Sequence, residues 1–365
     1  METKMSVDAL WIAVPVLILA WANGANDVSK GVATLLGSGL SHAKKAILWG
    51  TGWTVLGGLA AVAWGAALVQ TFGNGFLAPG FPLTLSFATS ALAGAFGWVL
   101  LSTRLGGPVS TTHALLGGIV GAALTMAGPA GLELNAVTRK VLLPLLVSPL
   151  IAILLCGGVL VVSRAVARRI PPWRPSCCPR EAWHRDPFVC ATGSVPPPPV
   201  RRLWVMLHWL SGGATSFARG LNDVPKIAAF LVLAMAPGAS PELAPQAALG
   251  AIALVTLVMG LGSLWGGFRV LHVLANRVTA MDPAQGLVAN AGTSLLVLAA
   301  SPLGLPVSTT HVSTGALMGI RFVEKRLPRQ ADALRAIFFA WVVTLPVAAM
   351  LAAATATLMG LASSS

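Results

Sequence analysis

A six-residue string occurs twice in this chain. Pro108-Val109-Ser110-Thr111-Thr112-His113 returns unchanged as Pro306-Val307-Ser308-Thr309-Thr310-His311, a displacement of 308 − 110 = 198 residues. A second pair has nearly the same spacing. Trp21-Ala22-Asn23-Gly24-Ala25-Asn26-Asp27-Val28-Ser29-Lys30 reads against Phe217-Ala218-Arg219-Gly220-Leu221-Asn222-Asp223-Val224-Pro225-Lys226, and 223 − 27 = 196. Two motifs in the same order, each present twice, describe two homologous halves. Whatever one half folds into, the other must fold into as well.

Both motifs set hydroxyls and ionisable groups inside long apolar runs, where such groups are costly and usually functional. The chain is 56% hydrophobic and 10% charged, with a mean hydropathy of +0.80. Soluble domains carry about 25% charged residues, so these residues cannot cover a water-facing surface. An all-α integral membrane protein follows, multi-pass in the cell (inner) membrane, with the lipid bilayer as solvent. The formal charge of +13 would suggest nucleic acid in a soluble protein. Here Lys and Arg gather in loops between apolar runs, as the positive-inside bias requires, and nucleic acid is not expected as a partner. Asp8 to Ala22 lacks a cleavage site and reads as the start of the first span. Cys156, Cys177, Cys178 and Cys190 give no disulfide framework. Cys177, Cys178, His184 and Cys190 match no common zinc spacing.

A spanning helix needs roughly 20 apolar residues. About ten apolar segments are present: Val7 to Leu36, Ala46 to Val69, Leu83 to Ser102, Val109 to Met126 and Val137 to Val162, then Leu203 to Met235, Ala247 to Val270, Ala284 to Ala300, Val307 to Ile320 and Ile337 to Leu361. The first in each half is interrupted, by Asn23 to Asp27 and by Arg219 to Asp223. Gly, Asn and Asp favour turns and caps, which predicts helices broken near mid-membrane. Pro108 just before Ser110-Thr111-Thr112 is a helix-start signature. The arms around Pro108 and Pro306 are either full crossings or re-entrant hairpins.

Residues 1–163 form a first transmembrane repeat and 203–365 a second. Between them, 164–202 is a basic linker with the run Pro196 to Pro199, expected in the cytoplasm. Five crossings per half, or three with hairpins, are both odd. The second half then enters from the opposite side, and the halves form an inverted-topology repeat.

That architecture belongs to secondary transporters, with the site near the bilayer midplane. A helix starting at Ser110 offers free backbone N–H groups and a positive dipole end. With the hydroxyls of Ser110, Thr111 and Thr112 this is an anion cradle. Ser308, Thr309 and Thr310 repeat it. Two such cradles suit a small tetrahedral oxyanion; an ordinary N-cap is the plainer reading. Asp27 and Asp223 would repel an anion and need a proton, a cation or a base. Lys30 and Lys226 lie three residues on, on the same helical face, so each Asp–Lys pair could be purely structural. Alternatively Asn26, Asp27, Asn222 and Asp223 hold a coupling cation, since hard cations prefer oxygen ligands. His113 and His311, one turn into their helices, read first as orienters. Arg104 and Arg219 each occur in one half only, and either could lend charge to the anion or simply reach a headgroup.

These residues resemble the inorganic phosphate transporter (PiT) family. The resemblance rests on Gly24-Ala25-Asn26-Asp27-Val28, on Gly220-Leu221-Asn222-Asp223-Val224, and on the twin Pro-Val-Ser-Thr-Thr-His strings. It implies phosphate import driven by sodium or protons, with phosphate at Ser110, Thr111, Thr112, Ser308, Thr309 and Thr310. The coupling cation, Na+ or H+, would sit at Asn26, Asp27, Asn222 and Asp223, with Na+ at Asp27 and Asp223 as the one metal expected and no other cofactor. Lys30, Lys226, His113 and His311 would be charge partners or orienters. Lys30 stands where many members have Asn, and Leu221 and Pro225 alter the second copy. Many members have Glu upstream of the second hydroxyl motif, where the nearest position here is Gln285; if that Glu serves cation binding, the expectation moves from sodium toward protons or a different stoichiometry. Inorganic phosphate is the expected ligand, with a homodimer open. The rivals are a sulfate permease and an intramembrane hydrolase using Ser110, His113 and Asp27. Sulfate cannot donate a hydrogen bond to Asp27 or Asp223. A hydrolase needs one nucleophile with one base, whereas here everything is doubled.

Overall fold

Away from water, only a helix satisfies every backbone N–H and C=O within one segment, and the apolar runs of this chain fold accordingly. The computed structural model describes residues 7–169, 199–235, 245–277, 283–324 and 331–364. Among them, β pairing is limited to one isolated bridge, Leu77 to Leu132.

The first half contains α1 (Val7–Gly37), α2 (Ala43–Trp64), the short α3 (Ala66–Gly73), α4 (Leu85–Leu105), α5 (Thr111–Ala127) and α6 (Leu143–Arg169). The second contains α7 (Pro199–Met235), α8 (Pro245–Gly266), the short α9 (Phe268–Arg277), α10 (Pro283–Ala300), α11 (Thr309–Glu324) and α12 (Ala331–Ser364). The same succession is laid down twice. Eight stretches among the described residues are long and apolar enough to cross a membrane, against the ten apolar segments of the sequence. α7, which carries Arg219, Asp223 and Lys226, and the 16-residue α11 are not among the eight. The chain is an all-helical, multi-pass membrane protein.

Two readings of the sequence are corrected. α1 runs unbroken through Asn23 to Asp27, and α7 unbroken through Arg219 to Asp223. Gly24 and Gly220 do not make turns; they let helices touch. A Cβ on Gly24 would sit 2.0 Å from Met259 O in α8, and one on Gly220 would sit 2.2 Å from Thr54 O in α2. The opposing surfaces answer in kind: a Cβ on Gly262 would meet Trp21 O at 2.1 Å, and one on Gly57 would meet Phe217 O at 2.0 Å. Small residues that let backbones approach are how membrane helices gain contact. The second correction concerns Ala46 to Val69 and Ala247 to Val270, which read as single spans. The chain divides at Gly65, whose N–H bonds Ala61 O at 2.8 Å, and at Gly267, whose N–H bonds Ser263 O at 3.3 Å.

The halves interlock reciprocally. α1 packs on α8 as α7 packs on α2, and α5 and α4 pack on α12 as α11 and α10 pack on α6. Exchanged contacts of this kind are what a two-fold relation produces. The glycines again match: Gly117 and Gly121 face Leu345 O and Ala349 O, while Gly315 and Gly319 face Pro149 O and Ile153 O. Along α1, residues up to Ala22 join one apolar core with Phe72, Leu92 and Phe230. Residues from Val32 onward join a second core with Ile47, Val270 and Val312. The polar stretch Asn23 to Lys30 lies between them.

Helix α6 reaches Arg169 and α7 begins at Pro199, so both ends of the basic stretch 164–202 are helical. Its middle, with Cys177, Cys178, His184 and Cys190, lies outside the described residues. So do Glu242 and the loop with Lys325 and Arg329.

Candidate functional site

The site begins with two helix caps. The Ser110 hydroxyl accepts from His113 N–H at 3.2 Å, and the Ser308 hydroxyl accepts from His311 N–H at 3.3 Å. A serine at the N-cap satisfies one of the free donors of the first turn, which is why Pro-Val-Ser starts a helix here. In each copy the histidine Nδ1 lies 2.8 Å from the same serine hydroxyl. The two histidine rings then stack on each other, centroids 4.3 Å apart and 6° from parallel. His311 also stacks on Trp341 at 4.0 Å. The two hydroxyl motifs, 198 residues apart in sequence, are therefore neighbours in space.

They brace each other in mirror fashion. Thr310 Oγ1 donates to Val109 O at 2.9 Å, and Thr112 Oγ1 donates to Val307 O at 3.4 Å. The Asn-Asp motifs grip the same two strings. Asn26 accepts from Val109 N–H at 3.0 Å and donates to Gly107 O at 2.9 Å. Asn222 donates to Val307 O at 3.1 Å and to Asp223 Oδ1 at 2.8 Å. Each helix thus holds the motif of its own half with an asparagine.

Asp27 pairs with Lys30, and Asp223 Oδ1 lies 3.4 Å from Lys226 Nζ. The pairs expected from spacing form. They do more than neutralise each other, because both ammonium groups also reach the hydroxyl motifs. Lys30 Nζ donates to Val109 O at 2.9 Å. Lys226 Nζ donates to Val307 O at 3.1 Å and to Thr112 Oγ1 at 2.8 Å. A cavity of about 20 Å³ adjoins Lys30, with Thr34, Asn290, Thr293, Thr310 and Thr314 in its wall. That is room for about one water.

Arg219 and Asn23 are the residues that sequence reasoning undervalued. Arg219 is 1% exposed. It donates to Thr54 Oγ1 at 2.6 Å, to Ser263 Oγ at 3.4 Å and to Asn23 Oδ1 at 3.4 Å. Asn23 in turn donates to Thr111 Oγ1 at 2.7 Å and lies 3.4 Å and 3.5 Å from Asp27 and Asp223. One asparagine therefore touches both acids, the arginine and a motif hydroxyl. A signal was present: Asn23 lies one turn before Asp27, and 219 − 23 = 196 makes it the counterpart of Arg219. Arg104, the other arginine singled out, is exposed, and its carbonyl accepts from Arg269.

Counted with every group ionised, the buried cluster holds Lys30, Lys226 and Arg219 against Asp27 and Asp223, or 3 − 2 = +1. An unmatched buried charge is expensive, and an anion would match it. Of the three residues of the hydrolase alternative, His113 Nδ1 lies 2.8 Å from Ser110 Oγ, while Asp27 pairs with Lys30 and Asn23.

Comparison with known proteins gives an independent reading. A family model described as the phosphate transporter family matches residues 23–352. A probable low-affinity inorganic phosphate transporter of Rhizobium meliloti is 28% identical over 344 residues, covering 92% of each chain. A protein of the same description from Mycobacterium tuberculosis (strain ATCC 25618 / H37Rv) is 27% identical over 351 residues, covering 95% of this chain and 76% of its own. A solved structure described as the sodium-dependent phosphate transporter superposes with a TM-score of 0.82 at 23% identity, over 98% of this chain and 100% of that one. At that identity it establishes the fold.

Proposed function

Because this chain belongs to the phosphate transporter family, we propose that it is a secondary active transporter importing inorganic phosphate in symport with a cation, H+ or Na+. The observation that carries this reading is the buried excess of positive charge beside two mutually braced, hydroxyl-rich helix starts. Phosphate is bound between the two motifs by Ser110, Thr111 and Thr112 with Ser308, Thr309 and Thr310. The bracing bonds Thr112–Val307 and Thr310–Val109 must part to admit it, because the adjoining cavity is the size of one water. The reciprocal packing of the halves favours an inverted-topology repeat, in which rocking about the shared centre alternates access. Asn26, Asp27, Asn222 and Asp223 are the coupling-cation groups, and a protonated phosphate donates to Asp27 or Asp223.

The test is uptake of labelled phosphate by purified full-length protein in proteoliposomes under separate sodium and proton gradients. Uptake is expected to depend on a gradient, to withstand excess sulfate, and to fall in Asp27→Asn and Asp223→Asn. Equal competition by sulfate would overturn the choice of phosphate. Uptake untouched by both substitutions would remove the acids from the coupling site.

A further inference from the structure

We propose that Lys30 and Lys226 are tethered counter-cations that fill the two places where a mobile coupling cation would otherwise sit, so this chain transports without sodium. The proposal rests on the phosphate reading above and deepens it by choosing the ion: of H+ and Na+, it leaves H+.

Consider what surrounds each ammonium. Lys226 Nζ faces a backbone carbonyl (Val307 O, 3.1 Å), a hydroxyl (Thr112 Oγ1, 2.8 Å) and a carboxylate (Asp223 Oδ1, 3.4 Å). Lys30 Nζ faces a backbone carbonyl (Val109 O, 2.9 Å) and the Asp27 carboxylate. Every hydrogen-bond and ion-pair partner is an oxygen, and carboxylate, carbonyl and hydroxyl oxygens are the donor set of a hard cation. The two nests are related by the repeat: 226 − 30 = 196 and 307 − 109 = 198. Both lysines are buried, Lys30 being 5% and Lys226 1% exposed. A surface lysine would keep its strongly hydrated head in solvent. These two give up that hydration to lie against the carbonyls that precede Ser110 and Ser308.

Charge decides what this does. With both lysines the cluster carries +1 before an anion arrives. With neutral residues in their places it would carry 1 − 2 = −1, from Arg219 against Asp27 and Asp223. An oxyanion approaching a negative cluster must bring cations with it. An oxyanion approaching this one need not bring a metal ion, because two positive charges are already covalently attached, and the proton remains as the coupling cation at Asp27 and Asp223. A metal ion competing for the same oxygens would also have to displace an ammonium that cannot diffuse away.

The experiment compares wild type with Lys30→Asn/Lys226→Asn in proteoliposomes. Labelled phosphate uptake is measured in sodium, potassium and ammonium media at fixed pH and membrane potential. Wild-type uptake is expected to be equal in sodium and potassium, and sodium is expected to leave its thermal unfolding midpoint unmoved. In the double variant, uptake in potassium should fall at least about tenfold. Sodium or ammonium should restore it, and sodium should now raise the unfolding midpoint, as any ligand specific to the folded state does. Sodium-dependent uptake by the wild type would overturn the proposal without any variant. So would a folded double variant that neither ion rescues. If the double variant does not purify folded, Lys226→Asn alone carries the same readouts. Absence of phosphate uptake by the wild type in all three media would instead overturn the phosphate reading on which this rests.

Discussion

Asn23 is where the arrangement can be tested most sharply. Its amide donates to Thr111 at 2.7 Å and lies 3.4 Å from Asp27, 3.5 Å from Asp223 and 3.4 Å from the Arg219 guanidinium. Asn23→Leu keeps roughly the volume and removes all four. The Thr111 bond has good geometry and contributes about 1 kcal/mol; the three to charged groups are long and belong at the low end of the roughly 1.5–3 kcal/mol that such bonds contribute. Because the charged groups retain other partners, about 3 kcal/mol in total is a reasonable expectation, or a roughly hundredfold loss at 1.36 kcal/mol per decade. The assay is initial phosphate uptake against concentration in proteoliposomes, with size-exclusion elution confirming a folded protein. Asn23→Asp is the companion. It preserves shape but brings the central charge from +1 to 3 − 3 = 0, so uptake should fall at least as far. If Asn23→Asp imports phosphate like the wild type, the buried positive excess is not what draws the anion, and the reasoning fails.

Other expectations follow from the same geometry. Gly24→Ala forces a Cβ to within 2.0 Å of Met259 O, and overpacking of this kind costs about 1–3 kcal/mol. Gly52→Ala, with nothing within 4 Å, should be neutral or stabilising; thermal unfolding in detergent compares them, and equal midpoints would contradict the helix contact. Thr111 accepts from Asn23, while Thr309, its counterpart in the second half, has no such asparagine because Arg219 stands there. Thr111→Val is therefore expected to lower phosphate uptake about fivefold, for a lost bond of roughly 1 kcal/mol, and Thr309→Val by less; the reverse order would refute the difference between the halves. Trp341→Ala removes the outer ring of the stack on His311, and such pairs contribute about 0.5–1.5 kcal/mol beyond their buried area. Its unfolding midpoint should drop, and an unchanged one would deny the stack a role.

Much of the site was legible in the order of residues. The cap at Ser110 depends on a local bond to His113 N–H, three residues away, and Pro108 marks it. The Asp27–Lys30 and Asp223–Lys226 pairs follow from three-residue spacing on one helix. Membership of two halves follows from the repeat, and with it the expectation that a residue at one motif has a counterpart at the other. What misled was also local. Asn, Gly and Asp clustered at 23–27 carry a turn signal in any aqueous loop. Here each has a reason that lies on another segment: Gly24 admits α8, Asn26 holds Val109 and Gly107 in the link between α4 and α5, and Asn23 reaches Thr111, Arg219 and the second carboxylate.

The solvent, the helices, the doubling and the caps are all written along the chain, because hydropathy, propensity and hydrogen bonds within one turn depend on near neighbours. Packing between distant segments is what keeps α1 and α7 whole, braces the two hydroxyl motifs against each other, and turns Lys30 and Lys226 inward onto Val109 O and Val307 O. Those outcomes depend on which backbone meets which across separations that run from 79 residues for Lys30 and Val109 to 201 for Thr310 and Val109. A polar group buried in an apolar bundle takes whatever partner the packing brings within 3 Å, and no periodicity along the chain names that partner in advance.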